Sequence, residues 1–80
     1  MMQISSIEEK IIVLFSKMQF DEIKKLTLVC FEIADELNHH PNISLNYSTL
    51  RIELTTHDIG NKIGPLDHEF VRLLKARTGL

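Results

Sequence analysis

Tryptophan is absent from this 80-residue chain, cysteine occurs once, proline twice and glycine three times. A single thiol, Cys30, excludes an intrachain disulfide, and its apolar neighbours Val29 and Phe31 mark it as a small buried hydrophobe rather than a reactive nucleophile. A reducing compartment is expected. No apolar run approaches the ~20 residues of a membrane span. The opening MMQISSIEEK carries acids where a secretory leader needs a basic start and an uninterrupted apolar stretch, so a cytoplasmic location and no membrane partner are expected. Neither sign of charge dominates: nine Lys and Arg against eleven Asp and Glu leave a net charge of −2, which argues against direct nucleic-acid binding through phosphate contacts. No repeat and no Pro- or Ser-rich linker divides the chain. With 44% hydrophobic and 25% charged residues, residues 1–80 read as a single globular domain. A chain this short buries only about 60% of the surface its unfolded form exposes and gains from self-association.

The apolar pattern changes period along the chain. Ile11 to Phe15 is a β-branched and aromatic run suited to a strand, and residues 2–6 pair with it through a turn near Glu8-Glu9, with a short N-terminal helix as the rival there. From Phe20 to about Asn38, Ile23, Leu26, Cys30, Ile33 and Leu37 recur at helical steps, and Asp21 and Glu22 suit the positive end of the helix dipole. Leu28 and Phe31 lie off that stripe, either widening the core face or forming a second face for another subunit. Pro41 is expected to end the helix and to keep His40 extended. Ile43, Leu45 and Tyr47 then alternate with polar residues, as do Leu50, Ile52, Leu54 and Thr56 after a short turn, giving two half-buried antiparallel strands. Gly60, Asn61 and Gly64 mark a loop, and Pro65 opens a last helix with Leu66, Phe70, Leu73 and Leu74 on one side. The fold class is α+β in ββαββα order: an antiparallel sheet of three to four strands with two helices packed on one face.

Three histidines, His39, His40 and His57, come from two different elements, and imidazole is the side chain that both gives and takes protons near neutral pH. The plainer reading is a structural one, in which histidines at a helix end satisfy its last carbonyls and suit its dipole, and a plain structural role is also preferred for His68, in the first turn of the last helix. A metal site is disfavoured, since adjacent residues point in divergent directions and no H-x-x-x-H or C-x-x-C pair is present. No Gly-x-Ser-x-Gly elbow or phosphate-binding glycine loop occurs. What remains is acid–base chemistry without metal, covalent intermediate or nucleotide.

Asp35, three residues, His39-His40-Pro41, five residues, Tyr47, nine residues, His57 and then Asp67, set within "HHPNISLNYSTLRIELTTHDIG", resembles the signature of the pterin-4a-carbinolamine dehydratases. The likeness covers roughly residues 14–74 and includes Leu54, Thr56 and Gly60. It implies a sheet with helices on one side and homodimers, often homotetramers, built through sheet edges and helix faces. It also implies dehydration of 4a-hydroxytetrahydropterin to quinonoid dihydropterin, with the pterin as substrate and no cofactor. Carried over by position, it makes His39 and His57 the acid–base pair and gives His40 a part in orienting the pterin. Asp35 and Asp67 would hold imidazoles in a useful tautomer and favour their cations, and backbone groups around Thr55, Thr56 and His57 would pair with the pyrimidinone edge. The chain departs from the family in three ways. Typical members are longer, with an N-terminal helix and a tryptophan-bearing first strand. The loop before Asp67 is one residue longer here. Gly64 replaces the serine or threonine that commonly caps the last helix, a change costing a few tenths of a kcal/mol. Some relatives also serve as dimerisation partners of a transcription factor, so a binding module is the rival reading.

Overall fold

The computed structural model describes residues 2–80. Strand β1 (Met2–Ile7) and strand β2 (Lys10–Phe15) form a hairpin whose register runs from Met2 opposite Phe15 to Ile7 opposite Lys10. The N-terminal helix rival is thereby excluded. Glu8 and Glu9 make the turn at φ 50° and 64°, the paired positive φ of a two-residue type I′ connection, although neither is the glycine or asparagine such a turn favours.

Helix α1 (Phe20–Leu37) follows, its first turn closed by the Gln19 N–H donating to Glu22 Oε1 at 3.1 Å. Its end corrects one expectation. Asn38, at φ 48° and ψ 45°, adopts the left-handed conformation and donates its N–H to the Ala34 and Asp35 carbonyls, so the helix ends at Leu37, before the chain reaches Pro41. Asparagine tolerates this geometry because its short polar side chain bonds locally.

Strands β3 (Asn42–Leu45) and β4 (Leu50–Leu54) complete an antiparallel sheet in the order β1-β2-β4-β3. β3 is shorter and more exposed than its alternation suggests. Asn46 Oδ1 accepts the Ser48 and Thr49 amides at 3.0 and 2.9 Å, turning the chain before Tyr47, which is 80% exposed and lies outside the strand. As an edge strand β3 contributes only a half-buried Ile43, and Leu45 is exposed.

Helix α2 (Pro65–Thr78) starts at proline, whose missing N–H costs nothing at a first helical position. Phe70 and Leu74 are fully buried and Leu73 is partly buried, but Leu66 is exposed; the residue that turns inward in this first turn is Asp67. The core joins one face of the sheet to both helices: Ile11, Val13, Phe15, Leu50, Ile52 and Leu54 meet Ile23, Leu26, Cys30, Ile33 and Ala34 of α1 and Phe70 and Leu74 of α2. Each such large side chain, fully buried, supplies about 1.5–3 kcal/mol. Cys30 packs among them as expected, and burial pushes its thiol up to about 12.

Candidate acid–base site

The end of α1, the end of β4 and the start of α2 meet at Asp67, and the three histidines that follow α1 and β4 in the chain are each held differently. The left-handed turn at Asn38 lets the His39 amide donate to the Ala34 carbonyl at 3.0 Å. Its ring turns inward and is only 9% exposed, whereas His40 faces solvent. His39 Nε2 meets Asp67 Oδ1 at 2.5 Å. The other carboxylate oxygen, Oδ2, accepts the Thr56 hydroxyl at 2.7 Å and the Gly64 N–H at 2.9 Å. Asp67 is fully buried. A carboxylate in that position only accepts, so Nε2 carries the proton and Nδ1 is left as the ring's acceptor. The same carboxylate compensates positive charge on the ring whenever Nδ1 holds a proton in transit.

The choice of glycine at position 64 becomes intelligible here. Gly64 precedes α2 in extended geometry, and a Cβ built on it would stand 2.9 Å from Ile59 Cδ1 and 3.2 Å from Thr56 Oγ1. Glycine thus makes room for the Thr56 hydroxyl that grips Asp67, a reason separate from its modest merit as a cap.

His57 begins a single turn of 3-10 helix (His57–Ile59) just past β4, on the surface. Its Nδ1 meets Asn61 Oδ1. Thr56, its covalent neighbour, ties His57 to the His39–Asp67 network, and so does the antiparallel bridge between Thr56 and Lys62, with N–H to carbonyl distances of 2.9 and 3.3 Å. Both backbone groups of Thr56 pair with Lys62 and its hydroxyl donates to Asp67. Thr55 donates its hydroxyl to the Glu9 carbonyl at 3.1 Å, and the His57 carbonyl accepts from Gly60. Asp35 is exposed on α1; its carbonyl, rather than its carboxylate, takes part in a hydrogen bond, with Asn38, and Asp67 alone of the two acids reaches an imidazole. Sequence reading passed over Asn61 as a bonding partner. The available signal was a Gly60-Asn61 pair, tolerant of positive φ, four residues after a histidine.

Two hollows lie away from the histidines. One, of about 570 Å³, runs between α1 and the end of α2 beside Met18, Val29 and Thr78, and the other, about 240 Å³, lies between Leu28 and Leu45. Neither is lined by a histidine, and the chemistry of the site rests on side-chain pairing rather than on volume. Among the described residues no group of three His, Cys, Asp or Glu side chains is placed to hold a metal ion, and no helix is long and apolar enough to cross a membrane.

A family model described as Pterin 4 alpha carbinolamine dehydratase matches residues 5–76. A protein of Sulfurisphaera tokodaii, whose name assigns it provisionally as a pterin-4-alpha-carbinolamine dehydratase, is 45% identical over 40 residues, covering 50% of this chain and 42% of that one. A Synechococcus protein of the same name is 43% identical over 44 residues, covering 55% of this chain and 46% of its own length. The matched stretch thus spans less than half of these curated relatives. Among solved structures, a transcriptional coactivator/pterin dehydratase from Brucella melitensis superposes with a TM-score of 0.81 at 25% identity, over 94% of this chain and 79% of that one. A pterin dehydratase-like RuBisCO assembly factor of the alpha-carboxysome shares the fold at a TM-score of 0.73 and 15% identity, over 98% of this chain and 89% of that one.

Proposed function

The chain belongs to the pterin 4 alpha carbinolamine dehydratase family, and from that membership we propose that it dehydrates a 4a-hydroxytetrahydropterin to the quinonoid dihydropterin by histidine acid–base catalysis. The observation that supports this reading is the buried Asp67–His39 pair, which fixes one imidazole through Nε2, with a second histidine, His57, one residue past the Thr56 that bonds the same carboxylate. The reaction needs two proton movements. The departing 4a hydroxyl takes a proton and leaves as water. A ring nitrogen loses a proton, and the electron pair of its N–H bond closes the C=N double bond as the C–O bond breaks. Two imidazoles on different elements suit those two transfers across a flat heterocycle.

In this reading His39 and His57 are the catalytic pair, and exposed His40 helps to hold the pterin. Asp67 and Thr56 act through His39 rather than on the substrate. The pterin is the substrate and no further cofactor is required. A reducing, cytoplasmic setting accords with the lone buried thiol.

The test is the rate of dehydration of chemically generated 4a-hydroxytetrahydropterin. The wild-type chain should exceed the spontaneous rate, and His57→Ala or His39→Ala should lower kcat by about 10²-fold or more. Near-normal turnover in both variants would sink the assignment. A second reading is a catalytically weak paralogue acting as a coactivator-type binding module, for which Leu28 and Phe31, 59% and 51% exposed on α1, would supply the docking face, as they would for self-association of an enzyme. No acceleration over the spontaneous reaction would select it.

A further inference from the structure

His57 differs from His39 in what holds it. The ring stands on an exposed single turn of 3-10 helix, where a free imidazole samples both neutral tautomers and rotates about its χ2. Among the described residues one side chain bonds to it: Asn61, whose Oδ1 meets Nδ1. Asn61 is itself fixed from both sides. Gly60, at φ 81°, donates its N–H to the His57 carbonyl at 3.1 Å. Lys62 is bound through both its backbone groups to Thr56. Between these anchors Asn61 takes φ 59°, a left-handed conformation that asparagine enters more readily than other residues with a Cβ. The loop therefore delivers an amide oxygen to one face of one ring nitrogen.

We propose that Asn61 is a positioning residue, whose side-chain oxygen keeps the His57 proton on Nδ1 and so presents Nε2 as the free, proton-accepting atom of that ring. An amide oxygen cannot donate, so the nitrogen facing it must carry the hydrogen. His39 is held the opposite way, with Nε2 protonated against Asp67 and Nδ1 open. The two rings thus offer different nitrogens, one backed by a carboxylate and the other by a neutral amide. The catalytic consequence rests on the acid–base reading above: Nε2 of His57 receives the proton released by the pterin ring nitrogen, and Asn61 never touches the substrate. The tautomer itself does not depend on that reading.

The experiment is ring-nitrogen NMR of the uniformly 15N-labelled chain without substrate, at a pH where the histidines are neutral. Long-range 1H–15N correlations of His57 should show the Nδ1–H tautomer in the wild type. Asn61→Gly keeps the left-handed backbone and should shift His57 toward Nε2–H while leaving the His39 pattern and the amide spectrum in place. Asn61→Asp, which retains the acceptor, should restore Nδ1–H. In turnover, Asn61→Gly should lower kcat about 10-fold with little change in KM. Asn61→Asp should recover most of it, with the acid limb of the kcat/KM profile moved to higher pH, because a carboxylate favours the imidazolium. An Nε2–H tautomer in the wild type, or the same tautomer in Asn61→Gly, overturns the proposal whether or not the chain turns over pterin. A shifted tautomer with unchanged kcat would overturn its catalytic part alone.

Discussion

At the scale of single residues, Asp67 carries the most consequence. A fully buried carboxylate needs its charge compensated and its lone pairs occupied, and Asp67 is met by an imidazole, a hydroxyl and a backbone N–H. Asp67→Asn keeps the shape and the two contacts at Oδ2 but presents an amide N–H to His39 Nε2, forcing the ring proton to Nδ1. We expect kcat to fall by about 10²-fold or more, as when a triad imidazole is held in the wrong tautomer, with a stability loss of only about 1 kcal/mol. Steady-state kinetics alongside urea unfolding separates the two effects, and parallel losses would argue for a merely structural role. Cys30 gives a second prediction. Burial raises its folded pKa to about 12 above the ordinary thiol value of about 8.5. The contribution of the protonated thiol is therefore complete below about pH 8.5 and lost as pH climbs toward 12. Unfolding midpoints of the wild type should decline across that window more steeply than those of Cys30→Ala, and parallel curves would refute the linkage.

At the scale of elements, some signals were local and some were not. Ile11 to Phe15 read as a strand through its β-branched content, whereas residues 2–6 left a hairpin and a short helix both open; the structure pairs the two segments and places the turn at Glu8-Glu9. The end of α1 was less legible. Proline is a visible stop, but the left-handed Asn38 that acts first looks like any other asparagine until its φ is known. In α2 the apolar count put Leu66 toward the core, and Asp67 went there instead because its partners, at positions 39, 56 and 64, are scattered through the chain. The spacing singled out the histidines and the family resemblance added Asp67, whose contact with His39 the fold then supplies; Asn61 was not legible, since it meets His57 through a contact that only the fold creates. The hairpin itself carries a testable cost. Two glutamates in left-handed geometry each sacrifice roughly 1 kcal/mol relative to residues suited to it. Replacing Glu8-Glu9 with Asn-Gly should raise the unfolding free energy by about 1–2 kcal/mol without altering the urea m-value, and an unchanged midpoint would show that β1 contributes little to the cooperative unit.

At the scale of the whole molecule, the question is what covers α1. Lys24, Leu28, Phe31 and Asp35 are spaced i, i+4, i+7 and i+11, so they share one exposed face of the helix. Their order is self-complementary. A second copy laid antiparallel across the midpoint of residues 29 and 30 sets Leu28 against Phe31 and Lys24 against Asp35, twice over, as a two-fold interface requires. An 80-residue domain gains most from such pairing, because its own core is small. We therefore expect the chain to self-associate through this face, in keeping with the homodimer or homotetramer the family resemblance suggests. Sedimentation equilibrium should report Leu28→Glu/Phe31→Glu at a lower mass than wild type, with an unchanged far-ultraviolet circular dichroism spectrum. Lys24→Glu alone should weaken association, and Lys24→Glu combined with Asp35→Lys should restore it, which simple loss of hydrophobic surface cannot do. Undiminished mass in the double-glutamate variant would exclude the helix face and direct attention to β1 and β3, whose outer edges carry unpaired backbone groups able to extend the sheet into a second copy.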